Sequence, residues 1–360
     1  QPPIDVSVIG QKAKDTRPAI EQIMFRDAMG RSSEELERAL YICRRRIERR
    51  AREAAIPAFY ICSLSNASLI YKGMFLAQDI DKFYLDLQSE QFSSAFAIYH
   101  QRYSTNTFPQ WSLAQPFRMI AHNGEINTLR GNKNWMKSHE IRMVSETYGE
   151  HVEDVKPVIP DGTSDSGALD SVWELLCKSG RSAPMAKAML IPEAWSKRDS
   201  VMPLAHRALY DYCNSVMEPW DGPAGIAAYD GRWAIAGLDL GDHEVAKRGS
   251  IPAGGMIAAD LKTGKFYDHK DIVDHLAAQA PYEEWLSAVT ELEPEISVGE
   301  EPPMFAKEEL LRRQTAAGYT LETLEMILSP MVETGKEAIG SMGDDTAPAV
   351  LSFNYRPMSH

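Results

Sequence analysis

The sequence predicts a layered mixed α/β domain rather than an alternating βαβ fold, because its strand-like runs fall into two groups separated by helical stretches. Two local signals support this. Asp230-Gly231 lies between the apolar runs Gly225–Tyr229 and Trp233–Leu238, a two-residue hairpin signal. Lys262-Thr263-Gly264 joins Gly255–Leu261 to Lys265–Tyr267 and reads as a second hairpin.

The first element is a helix. Ser32 with Glu35 forms a capping-box pattern, and Leu36, Leu40, Cys43 and Ile47 recur at helical spacing to about Ala54. Arg44, Arg45, Arg46, Arg49 and Arg50 give it a basic face, read as a solvated surface with Glu37 and Glu48 as partners; anion binding is the alternative. Short runs rich in branched or aromatic residues follow at Ala58–Leu64, Ser68–Tyr71, Ala95–Tyr103 and Phe117–His122, and these predict strands. Helices are expected at Lys133–Glu146, Ala168–Ser179 and Pro203–Met217, the last opening on a proline suited to a first helical turn. The two hairpins come next. From about Ala280 to Pro303 the chain is rich in Glu and Pro, as a surface connection would be, and helical signals resume near Phe305 and again from Tyr319. The expected organisation is a first domain over 1–278, a linker over 279–304 and the beginning of a second α/β domain over 305–360.

The composition bounds the function. The chain has 360 residues, 44% of them hydrophobic and 25% charged, with a net charge of −13. That balance fits a soluble globular protein and argues against a nucleic-acid partner. Cys43, Cys62, Cys177 and Cys213 lie far apart without a C-x-x-C pair, which argues against a disulfide framework or a cysteine zinc site and fits reduced thiols in the cytoplasm. No apolar run is long enough to cross a membrane. The N-terminus lacks both a signal-peptide pattern and an initiator Met, so the chain is expected to begin partway through a longer protein.

Two polar clusters stand at strand ends: His100-Gln101-Arg102-Tyr103-Ser104-Thr105-Asn106-Thr107 and Ala121-His122-Asn123-Gly124-Glu125-Ile126-Asn127-Thr128. Polar groups so placed can converge on a small ligand from a rigid base. Arg102 suits a carboxylate, since its guanidinium donates two parallel hydrogen bonds. The Asn123 amide and the Gly124 N–H are two neutral donors that suit a developing oxyanion; by spacing alone Asn-Gly is most often a plain turn. A third cluster, Gly162-Thr163-Ser164-Asp165-Ser166-Gly167, precedes a helix; Asp165 could take an ammonium there, or Asp165 or Ser166 could be a helix N-cap. His122 reads as a packed strand residue ahead of a catalytic base.

These clusters in this order, with Phe59-Tyr60-Ile61-Cys62-Ser63-Leu64-Ser65, Ile70-Tyr71-Lys72-Gly73-Met74 and Pro219-Trp220-Asp221-Gly222-Pro223-Ala224, closely resemble glutamate synthase large subunits through about Asp239. Gly318-Tyr319-Thr320 and the tract Gly340 to Ser352 resemble the start of that family's central domain. The resemblance implies a class II glutamine amidotransferase (type 2) domain over 1–278, of α+β class: a four-layer α/β/β/α sandwich of two antiparallel sheets, of the N-terminal nucleophile hydrolase type. It implies glutamine hydrolysis to glutamate and ammonia, with the ammonia passed to 2-oxoglutarate. Arg102 would bind the α-carboxylate of L-glutamine with Thr105 nearby, Asn123 and Gly124 would form the oxyanion hole, and Asp165 would take the α-ammonium.

The family's nucleophile is an N-terminal cysteine whose own α-amine is the base. No residue here matches it: position 1 is Gln, and the four cysteines read as small apolar residues. The domain is therefore expected to lack its N-terminal part and to be inactive alone. A second departure follows Asp239, where the chain is expected to be shortened before it rejoins the pattern near Lys247-Arg248-Gly249. No cofactor is expected within this chain. FMN and a 3Fe-4S cluster, with NADPH or ferredoxin as electron donor, are implied for the parent, whose other parts and a small NADPH-oxidising subunit are the implied partners. Another class II amidotransferase, such as a purine or amino-sugar pathway enzyme, and a non-catalytic amidotransferase-like binding module stay open as alternatives.

Overall fold

The computed structural model describes residues 1–101, 108–193, 202–239, 251, 254–287, 305–320 and 323–334. It divides into two units, Gln1–Val289 and Thr290–His360.

In the first unit the helices are α1 (Gln11–Asp15), α2 (Ser33–Glu53), α3 (Ile80–Phe83), α4 (Leu129–Ile141), α5 (Asp165–Lys178), α6 (Ala183–Leu190), α7 (Leu204–Val216), α8 (His269–Ala277) and α9 (Tyr282–Leu286). Its strands are β1 (Ile120–Gly124), β2 (Ala224–Tyr229), β3 (Trp233–Asp239), β4 (Met256–Asp260) and β5 (Lys265–Tyr267). They form one antiparallel sheet in the order β1-β2-β3-β4-β5, the sheet found among the described residues. The architecture is α+β, with both predicted hairpins in place as β2–β3 and β4–β5.

The first hairpin turn sits one residue later than the dipeptide signal suggests. Asp230 N–H donates to Trp233 O, so Gly231-Arg232 form its centre, with Gly231 at φ 105°. The Asp230 carboxylate closes the turn by accepting from Arg232 N (2.8 Å) and Trp233 N (2.7 Å). Its other oxygen accepts from Ala183 N (2.7 Å) and ties the hairpin to the first turn of α6.

Alternation along β2 and β4 turns Ala224, Ile226 and Ala228, with Met256 and Ala258, to one side. They join one core with α5 to α8, where Leu169, Val172, Trp173, Leu209 and Ile272 are all 0% exposed. Each large apolar side chain so buried contributes about 1.5–3 kcal/mol relative to its exposed state. A smaller aromatic cluster of Ile9, Ala13, Phe83, Tyr84 and Trp111 holds the N-terminal segment.

The capping box of α2 is formed: Ser32 Oγ accepts from Glu35 N (3.3 Å) and Glu35 Oε2 from Ser32 N (2.9 Å). The basic face of α2 corrects the expectation. Arg44 and Arg45 are only 2% and 4% exposed, so they lie inside rather than in solvent. Arg44 pairs with Glu48 (2.7 Å) and with Glu174 of α5, and Glu48 also receives Arg45 (3.1 Å) and Arg118 (2.9 Å). Arg45 further donates to the carbonyls of Val155 and Pro157. Glu174 lies beyond the reach of local pattern, and it is the partner that lets the arginines turn inward. Arg46 and Arg49, more exposed, share Asp154.

The runs 58–64, 68–71 and 95–101, predicted as strands, are irregular here, and 102–103 lie outside the described residues. Side chains take some of their backbone groups: Ile61 O accepts from Arg118 (2.7 Å), and Ser68 N donates to Ser65 Oγ (3.1 Å). On β1 the Gln115 amide occupies both backbone groups of His122, at 2.7 Å each. The predicted helix Lys133–Glu146 begins instead at Leu129, because Asn132 anchors its first turn to Pro219 O (2.9 Å), and it ends at Ile141. In the second unit, α10 (Lys307–Ala316) and α11 (Ser329–Thr334) carry the resumed helical signal; the tract 340–352 lies outside the described residues.

The buried arginine predicts an asymmetry. Arg44→Met strands Glu174, while Glu48 keeps Arg45 and Arg118, and should lower unfolding free energy by about 3–5 kcal/mol. Arg46→Ala, on a more exposed pair, should cost less than about 1 kcal/mol. Urea denaturation of both variants checks this, and equal losses would contradict the inward placement.

Candidate functional site

Strand β1 ends in a close backbone crossing that fixes Asn123 and Gly124. Glu125 N donates to Pro223 O (3.1 Å) and Asn127 N to Asp221 O (2.8 Å). The approach is reciprocal and needs glycine on each side. A Cβ on Gly124 (φ 156°) would stand 1.8 Å from Pro223 O, and one on Gly222 (φ 143°) would stand 1.9 Å from Glu125 O. Thr128 Oγ1 adds a bond from Asp221 N (3.0 Å). Asn123 and Gly124 are thereby presented on the surface at the end of a fixed strand.

The other end of β1 is held by Asp170 of α5. Its carboxylate, 1% exposed, accepts from Arg118 N (3.2 Å), Met119 N (2.8 Å) and Ile120 N (3.1 Å). Burial, with the neighbouring Glu174 carboxylate adding to it, pushes the Asp170 carboxyl up to about 6, against the pull of Arg118 and these N–H groups.

The first turn of α5 closes the site. Ser164 is its N-cap, accepting from Gly167 N (3.1 Å), so neither Asp165 nor Ser166 serves in that role. The Asp165 carboxylate faces the loop after Gly124: Oδ2 accepts from Ile126 N (3.3 Å) and Oδ1 from Ser166 N (2.7 Å). Helix N-termini favour such a negative charge. His122 is 1% exposed, as a packed strand residue should be, and its Nδ1 lies 2.7 Å from Ser166 Oγ. Burial lowers its pKa and keeps the ring neutral.

The structure thus brings Asn123, Gly124 and Asp165 into one loop-and-helix junction. Arg102 and Thr105 lie outside the described residues, as does the departure after Asp239 over 240–250. The sequence pointed to no role for Gln115, Asp170 or the Asp221–Pro223 crossing, and for Ser166 only to a helix N-cap. The one available signal was the glycine inside Asp221-Gly222-Pro223, since a glycine between two such residues marks a close approach.

Two of the four cysteines are held as thiols by burial. Burial pushes the Cys213 thiol up to about 12 and the Cys177 thiol well above its ordinary value; Cys43 is exposed and Cys62 half-buried. Among the described residues no three His, Cys, Asp or Glu side chains are placed to hold a metal, and no described helix is long and apolar enough to cross a membrane.

The family described as glutamine amidotransferases class-II matches residues 1–241, and the glutamate synthase central domain matches residues 312–360. The chain is 51% identical over 390 residues to the large chain of glutamate synthase [NADPH] of Azospirillum brasilense, all of this chain against 26% of that protein. It is 38% identical over 380 residues to a chloroplastic ferredoxin-dependent glutamate synthase of Oryza sativa subsp. japonica, covering 97% of this chain and 24% of the relative. Against the large chain of glutamate synthase [NADPH] of Bacillus subtilis (strain 168) it is 36% identical over 394 residues, covering 98% and 25%. The chain therefore spans about a quarter of the length of these relatives.

Two measurements test the scaffold. Gly124→Ala should cost more than about 2 kcal/mol of stability, because its Cβ must displace the Pro223 carbonyl. For Asp170, a carboxyl titrating near 6 when folded and about 3.9 when unfolded binds the extra proton in the folded state between those values. Its contribution is complete below the unfolded value and is lost as pH rises through about 6. Relative to Asp170→Asn, the parental unfolding free energy should fall by about 2 kcal/mol between pH 4 and 7. A pH-independent difference would contradict the assignment.

Proposed function

The chain belongs to the class II glutamine amidotransferases, and from that premise we propose that it is the glutamine-recognition part of a glutamate synthase large chain. In the proposed reaction L-glutamine is hydrolysed to L-glutamate and ammonia, and the ammonia is passed to 2-oxoglutarate for reductive synthesis of glutamate. The observation that carries this reading is the junction itself: an exposed Asn-Gly at a fixed strand end, beside a carboxylate bonded to the same loop. The match to the glutamate synthase central domain favours this reading over another class II amidotransferase.

Each residue has a distinct task in the proposal. Asp165 accepts the α-ammonium of glutamine, while the Arg102 guanidinium, with Thr105 beside it, takes the α-carboxylate in a bidentate pair. Those two contacts orient the side-chain amide toward the end of β1. There the Asn123 amide and the Gly124 N–H donate to the carbonyl oxygen as it gains charge, each donor contributing about 3 kcal/mol to the transition state. The attacking thiolate forms the new C–S bond and ammonia leaves as the C–N bond breaks; water then releases glutamate. With the Cys177 and Cys213 thiols held protonated by burial, this chain is assigned recognition and oxyanion stabilisation, and the thiol is assigned to the parent protein.

FMN, a 3Fe-4S cluster, the NADPH or ferredoxin donor and a small NADPH-oxidising subunit belong in this proposal to the rest of the parent. Among the described residues no three His, Cys, Asp or Glu side chains come together as ligands for such a cluster. Four unpaired cysteines support a reducing compartment, the cytoplasm.

Calorimetry with glutamine tests the assignment. Arg102→Ala and Asp165→Asn should each weaken binding about tenfold or more, a charge-assisted contact being lost. Asn123→Ala should leave ground-state binding within about twofold yet lower kcat of the full-length parent by about 10²–10³. Undiminished binding in both of the first two variants would sink the reading.

A further inference from the structure

We infer that His122 and Ser166 are positioning residues that set the Asp165 carboxylate against the Asn123-Gly124 donors through a directed chain from His122 Nδ1–H to Ser166 Oγ–H to Asp165 Oδ1. The inference rests on the proposed role of Asp165 toward the α-ammonium of glutamine.

Connectivity is the first argument. His122 immediately precedes Asn123 in β1, and Ser166 immediately follows Asp165 in α5. The 2.7 Å bond between them cross-links the strand that would hold the oxyanion to the helix that would hold the ammonium, each at the residue adjoining the one that touches substrate. Both linking side chains are buried, His122 at 1% and Ser166 at 4% exposure. Neither end can drift. Gln115 holds both backbone groups of His122 at 2.7 Å, and Ser166 sits in the capped first turn of a helix buried through Leu176. The span between oxyanion donors and ammonium acceptor is therefore fixed before a ligand arrives, which is the condition for productive orientation.

Hydrogen placement is the second argument. Ser166 Oγ lies 2.7 Å from His122 Nδ1 and 3.4 Å from Asp165 Oδ1, and His122 Nε2 is buried without a hydrogen-bond partner among the described residues. With the proton on Nε2, a donor would be buried with no acceptor. With the proton on Nδ1, the orphan is a lone pair, the less costly kind of unsatisfied group. That tautomer leaves the serine proton free to point toward the Asp165 oxygen, as the field of the carboxylate favours. The 3.4 Å separation is at the long end for such a bond.

The test uses this chain, glutamine, and 4-carbamoylbutanoate, the analogue lacking the α-ammonium. Leu and Asn have similar shape, but only Asn can place an N–H near the position of Nδ1. His122→Leu and Ser166→Ala should each weaken glutamine binding about tenfold, while His122→Asn should stay within about threefold of the parent. The analogue should bind the parent and His122→Leu equally, a result that general loosening of the fold would not give. Long-range ¹H–¹⁵N spectra of the folded parent should show His122 protonated on Nδ1, a readout that survives if His122→Leu fails to fold. Full glutamine affinity in His122→Leu, with loss in Asp165→Asn, overturns the inference and leaves the substrate reading standing. A proton on Nε2 also overturns it. Undiminished binding in Asp165→Asn, or none by the parent, brings down the substrate reading and the inference together.

Discussion

The buried carboxylate of Asp170 is the group on which the placement of strand β1 depends. Removing an ionised carboxylate from water costs several kcal/mol unless hydrogen bonds replace its hydration. Here the replacement comes from three consecutive backbone N–H groups, those of Arg118, Met119 and Ile120. The dependence is mutual: these amides lie where an edge strand begins and would be costly to bury unpaired. Helix α5 thus grips the chain just before β1, and five residues earlier its Asp165 grips Ile126 just after it. One helix sets both ends of the strand, and the exposed Asn123-Gly124 lies between the two grips.

The backbone crossing of 124–127 over 221–223 supplies what side chains cannot, a contact too close for any Cβ. Gly124 and Gly222 are needed for space, and their positive φ values follow from that closeness. The crossing also explains why the site faces outward without being loose. Asn123 is solvent-exposed, yet the residues on either side of the Asn-Gly pair are pinned, His122 by Gln115 and Glu125 by the Pro223 carbonyl.

What could be read in the sequence was local. The capping box at Ser32, the two hairpins, the helices near 165–178 and 204–216, and the Asn123-Gly124 and Asp165 clusters depend on residues within a few positions of one another. What could not be read depends on distant partners. Glu174 turns the arginines of α2 inward, and it lies 130 residues from Arg44. Branched residues at 58–64 and 68–71 look like strands, but a strand needs a neighbour with a free edge, and at His122 that edge is filled by the Gln115 amide. The sequence suggested Asp165 or Ser166 as the cap; geometry assigns it to Ser164, which leaves the Asp165 carboxylate for the loop.

A buried cation organises the support behind the site in the same way that Asp170 organises the strand. Lys72 is 5% exposed, and its Nζ donates to Ser112 O (2.8 Å), Ala114 O (2.9 Å) and Tyr60 OH (3.1 Å). It lies over the Tyr60 ring at 4.3 Å and near the Phe117 ring at 5.1 Å, so aromatic faces replace part of the hydration it has lost. Two of those acceptors belong to the loop that carries Gln115. The path from Lys72 to Ser112 and Ala114, then Gln115, His122, Ser166 and Asp165 is continuous through hydrogen bonds and adjoining residues. A buried charge without partners would be the most destabilising group in this region; with these partners its large desolvation cost becomes a constraint, because any shift of the loop leaves the ammonium unsatisfied. The loop is irregular in backbone yet narrowly fixed in position, and that is the kind of support a recognition site on an edge strand requires.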